Sequence, residues 1–158
     1  MRTGVLTWAE VALLLIDRGA KVDARDAQGR TPLTIAAEFG NLEAAEALLA
    51  RGADPYARDE VYRDTPIHYA VLADDVDIVK LLLIRGVDVN LRSGHDGEPP
   101  LNYAARWGSV LMIEFLVREG ADPNMRDSAG RTPVQVAAAF GVRTDITLAL
   151  LRRLGAVQ

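Results

Sequence analysis

Four tracts along this chain open in the same way: Thr31-Pro32-Leu33, Thr65-Pro66-Ile67, Pro99-Pro100-Leu101 and Thr132-Pro133-Val134, with their prolines 34, 34 and 33 residues apart. A second mark keeps the same register, since Gly19-Ala20, Gly52-Ala53, Gly86-Val87, Gly120-Ala121 and Gly155-Ala156 recur at steps of 33, 34, 34 and 35. A fixed period in this range specifies stacked supersecondary units, each too small to bury its own apolar face, so that burial is completed by the neighbouring unit. The period therefore constrains the architecture before any site is considered.

Within the cleanest unit, Thr31 offers a hydroxyl to free backbone N–H groups, and Pro32 supplies a preset φ at the first helical position. Leu33, Ile35, Ala36 and Ala37 give a short helix with one apolar face, small enough at the alanines for a neighbouring helix to approach, and Gly40 ends it. Asn41 then caps a second helix whose Leu42, Ala45, Leu48 and Leu49 fall at helical spacing, and Gly52 stops that one. The two helices return antiparallel. The connecting segments, of the type Ala-Asp-Pro-x-x-Arg-Asp-x-x-Gly-Arg, carry turn residues without helical periodicity and project as hairpin-like loops.

Composition excludes several classes. With 158 residues, 49% hydrophobic and 25% charged, the chain fits one globular domain with a continuous core. Eighteen basic against 22 acidic residues, a formal charge of −4, argue against nucleic acid as the main partner. The absence of cysteine rules out disulfides, thiolate metal sites and cysteine nucleophiles, and is compatible with a reducing compartment such as the cytoplasm. At the N-terminus Arg2 precedes an apolar run from Gly4 to Ile16, but Glu10 interrupts it and it is shorter than the roughly 20 residues a bilayer-spanning helix needs. It runs in register into Asp17-Arg18-Gly19-Ala20 and reads as a repeat helix, with no membrane partner expected.

The stretch Asp26-Ala27-Gln28-Gly29-Arg30-Thr31-Pro32-Leu33-Thr34-Ile35-Ala36-Ala37 resembles the opening of an ankyrin repeat, and Gly52-Ala53-Asp54 resembles its close. The resemblance covers nearly the whole chain and implies an all-α solenoid of stacked antiparallel helix pairs with projecting hairpin-like loops. Its units fall at 26–58, 59–92, 93–126 and a capping unit at 127–158, preceded by a half unit at 1–25 that holds only a second helix. Three departures stand out. Asp74 occupies the place of Gly40, Gly108 and Gly141, and tolerates left-handed backbone with some strain. Pro99 replaces the capping threonine, and the longer last unit delays its second helix. The leading helix, with Trp8, Val11, Leu13, Leu14 and Leu15, lacks a covering partner; residues 1–7 folding back as a cap is one explanation, and a fragment of a longer repeat protein or self-association through this helix is the favoured expectation.

Proteins of this kind bind other proteins through a concave surface of loop tips and first-helix ends. By position the resemblance assigns the loop-tip residues Gln28, Arg30, Tyr62, Asp64, His95, Asp96, Glu98, Ser128 and Arg131, and the first-helix ends Glu38, Phe39, Leu72, Arg106, Trp107 and Phe140. Large aromatics with accessible faces favour Phe39, Trp107 and Phe140 as anchors, although the same side chains also suit the sealing of grooves between units. Arg25, Arg58, Arg92 and Arg126 recur before each loop; they suit anion binding, but pairing with Asp23, Asp26, Asp59, Asp96 and Asp127 is the favoured expectation.

Catalytic chemistry is thinly represented. Ser93, His95 and Asp96 are triad residue types crowded on one loop, without a nucleophile elbow. Asp74, Asp75 and Asp77 lack calcium-loop spacing and suit a helix start, while His68 holds the place where the family commonly has a structural histidine. The expectation is a non-enzymatic protein-binding module without cofactor or metal. An inhibitor that blocks a partner's active site, a small-molecule binder or enzyme, and a structural spacer are the alternatives.

Overall fold

Each first helix starts where its proline sets it, and four such starts organise the molecule. The computed structural model describes residues 7–107, 109–140 and 144–157. A leading helix α1 (Trp8–Asp17) precedes four pairs: α2 (Pro32–Glu38) with α3 (Leu42–Ala50), α4 (Pro66–Leu72) with α5 (Val76–Ile84), α6 (Pro100–Trp107) with α7 (Val110–Arg118), and α8 (Pro133–Phe140) with α9 (Thr144–Arg153). The described residues include no strand, so the fold is the all-α solenoid that the period specifies.

The caps follow the side-chain chemistry. The hydroxyl of Thr31 accepts from the Thr34 N–H at 3.3 Å, and the side chains of Asn41, Asp75 and Ser109 each accept an N–H three residues on. Asp74 takes φ 56°, the left-handed region that Gly40 occupies at 65°. Helix α9 opens three residues after Gly141, whereas α3 opens two after Gly40.

First helices α2, α4, α6 and α8 pack side by side in one row, with the second helices behind them. Ala36, Ala37, Ala70, Ala104, Ala105 and Ala137 are buried along this row, which lets the backbones approach, while Leu33, Ile67, Leu101 and Val134 fill the layer between rows. Leu48, Leu82, Leu116 and Leu151 close it from the second helices.

Polar bonds join the same units. The guanidinium of Arg25 donates to the carbonyls of Gly29 (2.6 Å) and Arg58 (2.7 Å), that of Arg58 to Arg63 and Arg92, and that of Arg92 to Gly97 and Arg126. The arginine series is thus structural, but its acceptors are backbone carbonyls of its own loop and of the next unit. The expected aspartate partners are spent elsewhere: Asp26 accepts from the Gln28 and Arg30 amides, Asp59 from Val61, Tyr62 and Asp64, and Asp127 from Ala129 and Arg131. Two residues upstream of each arginine, Asp23, Tyr56, Asn90 and Asn124 also bond the following unit; Asn90, for example, donates to the Gly120 carbonyl and accepts from the Asp122 N–H. Loop tips are linked as well, with the N–H groups of Glu60, Gly94 and Ser128 donating to the carbonyls of Gln28, Arg63 and Asp96. Gly94 has no alternative there, because a Cβ would lie 2.2 Å from the Cβ of Arg63.

Pro99 leaves a defect. In the neighbouring units the capping threonine serves the residue three positions on: Thr65 N–H and hydroxyl meet the His68 Nδ1, and Thr132 N–H meets the Gln135 Oε1. Pro99 offers neither group, and among the described residues both amide atoms of the fully buried Asn102 lack a hydrogen-bond partner. Combining Pro99→Thr with Asn102→His reproduces the neighbouring pair. We predict that the double variant is more stable than the sum of the single changes by about 1 kcal/mol, read from denaturant midpoints in a double-mutant cycle; strict additivity would show that the two positions are not coupled.

Candidate functional site

Because all four first helices start at equivalent prolines, the residues seven positions on, at or just past the helix ends, fall in one column. That column carries Phe39, Ala73, Trp107 and Phe140, and the column beside it Glu38, Leu72, Arg106 and Ala139. Phe39 is 75% exposed, Trp107 56% and Phe140 52%, so these rings stand out from the row rather than sealing it, and Leu72 is exposed beside the small Ala73.

The loop residues separate into tips and bases. Gln28, Tyr62, His95, Asp96 and Ser128 are exposed at the tips, Tyr62 on a loop one residue longer than its first neighbour. Arg30, Asp64, Glu98 and Arg131 sit instead at the loop bases, directly before the first helices. Asp64 and Glu98 are only 3% exposed, which corrects their placement at the tips. Arg30 is half-buried and pairs with Asp26 at 2.9 Å and closely with Glu38. Glu98 pairs closely with Arg106 and lies 3.5 Å from Arg131, which also bonds Asp127 at 2.7 Å. Both guanidinium groups, Arg106 and Arg131, lie 5.2 Å from the centre of the Phe140 ring. Arg106 is therefore the counter-ion of a buried carboxylate as well as a surface residue.

A polar floor runs beneath the strip and joins Asp64, Glu98 and His68 to Tyr103, the one member that residue spacing did not single out. The Tyr103 hydroxyl donates to Asp64 at 2.8 Å, and its ring lies 5.2 Å from His68. His68 accepts from the Thr65 N–H at Nδ1, so Nε2 carries the proton and donates to the Glu98 carbonyl at 3.3 Å. Burial pushes the Asp64 carboxyl up to about 6, and the Asp59 and Glu98 carboxylates add to this against the Tyr103 bond. Burial also raises Glu98, opposed by Arg106 and Arg131, and lowers the His68 imidazole to about 4.

Among the described residues, the triad types Ser93, His95 and Asp96 are not brought together as a set. Ser93 is buried with its hydroxyl accepting from the Glu98 N–H, whereas His95 and Asp96 are exposed beside each other. Asp75 caps α5, and Asp74 accepts from the Ser109 hydroxyl at 2.5 Å. Among the described residues no group of acidic or histidine side chains has a metal-binding arrangement. On the opposite side, the groove between α7 and α9 is apolar and crossed by an Arg153–Glu114 pair. Leu14 and Leu15 are exposed on α1, while the side chain of Trp8 lies outside the described residues. No helix among the described residues is long and apolar enough to cross a membrane.

Comparison with known proteins agrees with the geometry. A family model described as ankyrin repeats in three copies matches residues 67–157, and one for ankyrin repeats in many copies matches 9–49 and 35–83. Human ankyrin repeat domain-containing protein 63 is 39% identical over 62 residues, covering 39% of this chain and 16% of that protein. The Neurogenic locus Notch protein of Drosophila melanogaster is 43% identical over 67 residues, 42% of this chain and 2% of that protein. The ankyrin repeat and LEM domain-containing protein 1 homolog of Caenorhabditis elegans is 42% identical over 57 residues, 36% of this chain and 8% of that protein. The chain thus matches a small part of each relative's length.

Opposed titrations give a test of the polar floor. The folded pKa of Asp64 lies above its unfolded value of 3.8, so the native state binds this proton more tightly and stability falls as pH rises from 3.8 to about 6. His68 lies below its unfolded 6.5; its contribution is complete above 6.5 and is lost as pH falls toward about 4. The two slopes oppose each other over one window. Asp64→Asn keeps an acceptor for Tyr103 and removes the first slope, so its melting temperature should drop more steeply than wild type on acidification from 6.5 to 4. At pH 7 it should exceed wild type by roughly 2–4 °C for each kcal/mol of relieved burial cost; parallel pH profiles would refute the assignment.

Proposed function

Because the chain belongs to the ankyrin-repeat family, a fold that serves in general for protein–protein interaction rather than catalysis, we propose that it recognises a partner protein through the face formed by its first-helix ends and loop tips. The observation that carries this is the exposure of Phe39, Trp107 and Phe140 in one column of a row whose alanines are buried. Exposed rings at regular intervals cost solubility unless they are covered, and aromatic side chains on a rigid support are efficient anchors because little freedom is lost on binding. Beside them the arginines are occupied by Asp26, Glu38, Glu98 and Asp127, which holds the surface in one shape. Tyr62, Gln28, His95, Asp96 and Ser128 extend the contact toward the tips.

The test uses rings, not Arg106, whose removal would weaken the pairing of buried Glu98. Affinity capture from source lysate should be run with wild type beside Phe39→Ala/Trp107→Ala, both checked for the same helical signal and melting temperature. A partner lost by at least about tenfold, roughly 1.4 kcal/mol, in the double variant is expected. Equal capture by the two proteins would remove the function from this face.

A further inference from the structure

A buried histidine ties the unit at 59–92 to the one that follows, and the residue in its place one unit on cannot repeat the bond. His68 Nε2 donates to the Glu98 carbonyl at 3.3 Å, and the Leu91 carbonyl also favours a proton on this ring. One unit on, the same two carbonyls belong to Arg131 and Met125. Their backbone settings match. The Glu98 carbonyl accepts from the Ser93 N–H at 2.9 Å and the Arg131 carbonyl from the Asp127 N–H at 3.0 Å, while the N–H groups of Leu91 and Met125 donate to Asp88 and Asp122. The acceptors have kept their places, and the side chain at the position that meets them has changed from an imidazole to the carboxamide of Asn102.

Asn102 is fully buried, and neither Nδ2 nor Oδ1 has a hydrogen-bond partner among the described protein groups. A buried carboxamide in that condition carries a desolvation cost that native structures almost always remove. In the first complete unit the cost is removed locally: the equivalent Thr34 is buried, and its hydroxyl shares a bond of 3.1 Å with that of Thr31. Pro99 closes this route to Asn102, because it has neither hydroxyl nor N–H. The two carbonyls ahead remain, but a carboxamide ends nearer to the backbone than Nε2 of an imidazole does. Imidazole also exceeds a carboxamide in volume by about one water's share of the liquid, about 30 Å³.

We propose that one buried water completes this seam, accepting from Asn102 Nδ2 and donating to the Arg131 and Met125 carbonyls in the place of the histidine nitrogen. Three protein partners are the usual complement of a buried water. Both carbonyls have a lone pair to give: Arg131 spends one on Asp127, and among the described residues no backbone N–H is bonded to Met125. With both water hydrogens directed at carbonyls, the water's own lone pair calls for the Nδ2 donor, which fixes the orientation of the carboxamide. Oδ1 is then the atom that the hydroxyl of Pro99→Thr would serve. A bridge of this kind is nearly as favourable in enthalpy as a direct bond. It closes the seam between 93–126 and 127–158 through a molecule that exchanges only when the two units part locally.

The wild-type protein is sufficient for the test. After sequential assignment of the isotope-labelled chain, water-selective NOE and ROE spectra should show cross-peaks between water and the Asn102 side-chain amide protons. Opposite signs in the two spectra separate dipolar contact from hydrogen exchange. A crystal structure should place density about 2.7–3.2 Å from Nδ2 and from both carbonyl oxygens. In Asn102→His the ring should take the bond to the Arg131 carbonyl, and that density should vanish. A direct bond from Nδ2 to a protein carbonyl, absence of the cross-peaks and the density, or density about 2.3–2.6 Å from the oxygens, as a bound cation makes, would each overturn the inference. Density retained in Asn102→His would overturn the assignment of the water to the histidine's place.

Discussion

A single unit of this chain has two short helices and one apolar face that it cannot cover, and every other feature is arranged around that shortage. Covering it requires the next unit to come close, which buried alanines such as Ala36, Ala70, Ala104 and Ala137 permit. Once the units are close, loop carbonyls face each other across the seam and need donors. The guanidinium groups of Arg25, Arg58 and Arg92 supply them, each holding its own loop and reaching forward to the next. Apolar burial drives the stacking, and these directional bonds set its register.

Register matters for function because it lines up the ends of the first helices. The same proline-set starts that permit stacking deliver Phe39, Trp107 and Phe140 to one column, with Ala73 as the interruption. Below them Glu98 is a node: its carbonyl accepts a hydrogen bond from the His68 Nε2–H, its N–H donates to Ser93, and its carboxylate holds Arg106 and Arg131 against Phe140. Polar groups of the face are thereby turned inward, and its apolar groups are left to solvent or to a partner.

Several parts of this arrangement were legible residue by residue. The cap at Thr31, the cap at Asn41 and the left-handed turn at Asp74 follow from local chemistry, and local chemistry is what a run of residues records. Spacing also located the arginine series and its structural role. It misassigned the acceptors, because Asp26, Asp59 and Asp127 are adjacent to the arginines in sequence but closer in space to the amides of their own loops. The placement of Asp64 and Glu98 at loop tips failed for a related reason. A hairpin's tip and base are a few residues apart, and only packing against Tyr103, Arg106 and the next loop decides which residues are covered.

By itself, then, the sequence determined the period, the helix starts and stops, the family and the identity of the aromatic residues that end the first helices. Those depend on interactions within about five residues, or on a repeat that reports stacking without showing it. Tertiary structure alone decided that the rings stand outward, that Arg106 is tied to a buried glutamate, and that Asn102 is left without the partner Pro99 cannot provide. Each of these depends on which groups from different units meet, and a carboxylate, amide or ring has no fixed partner until neighbouring units have taken their places.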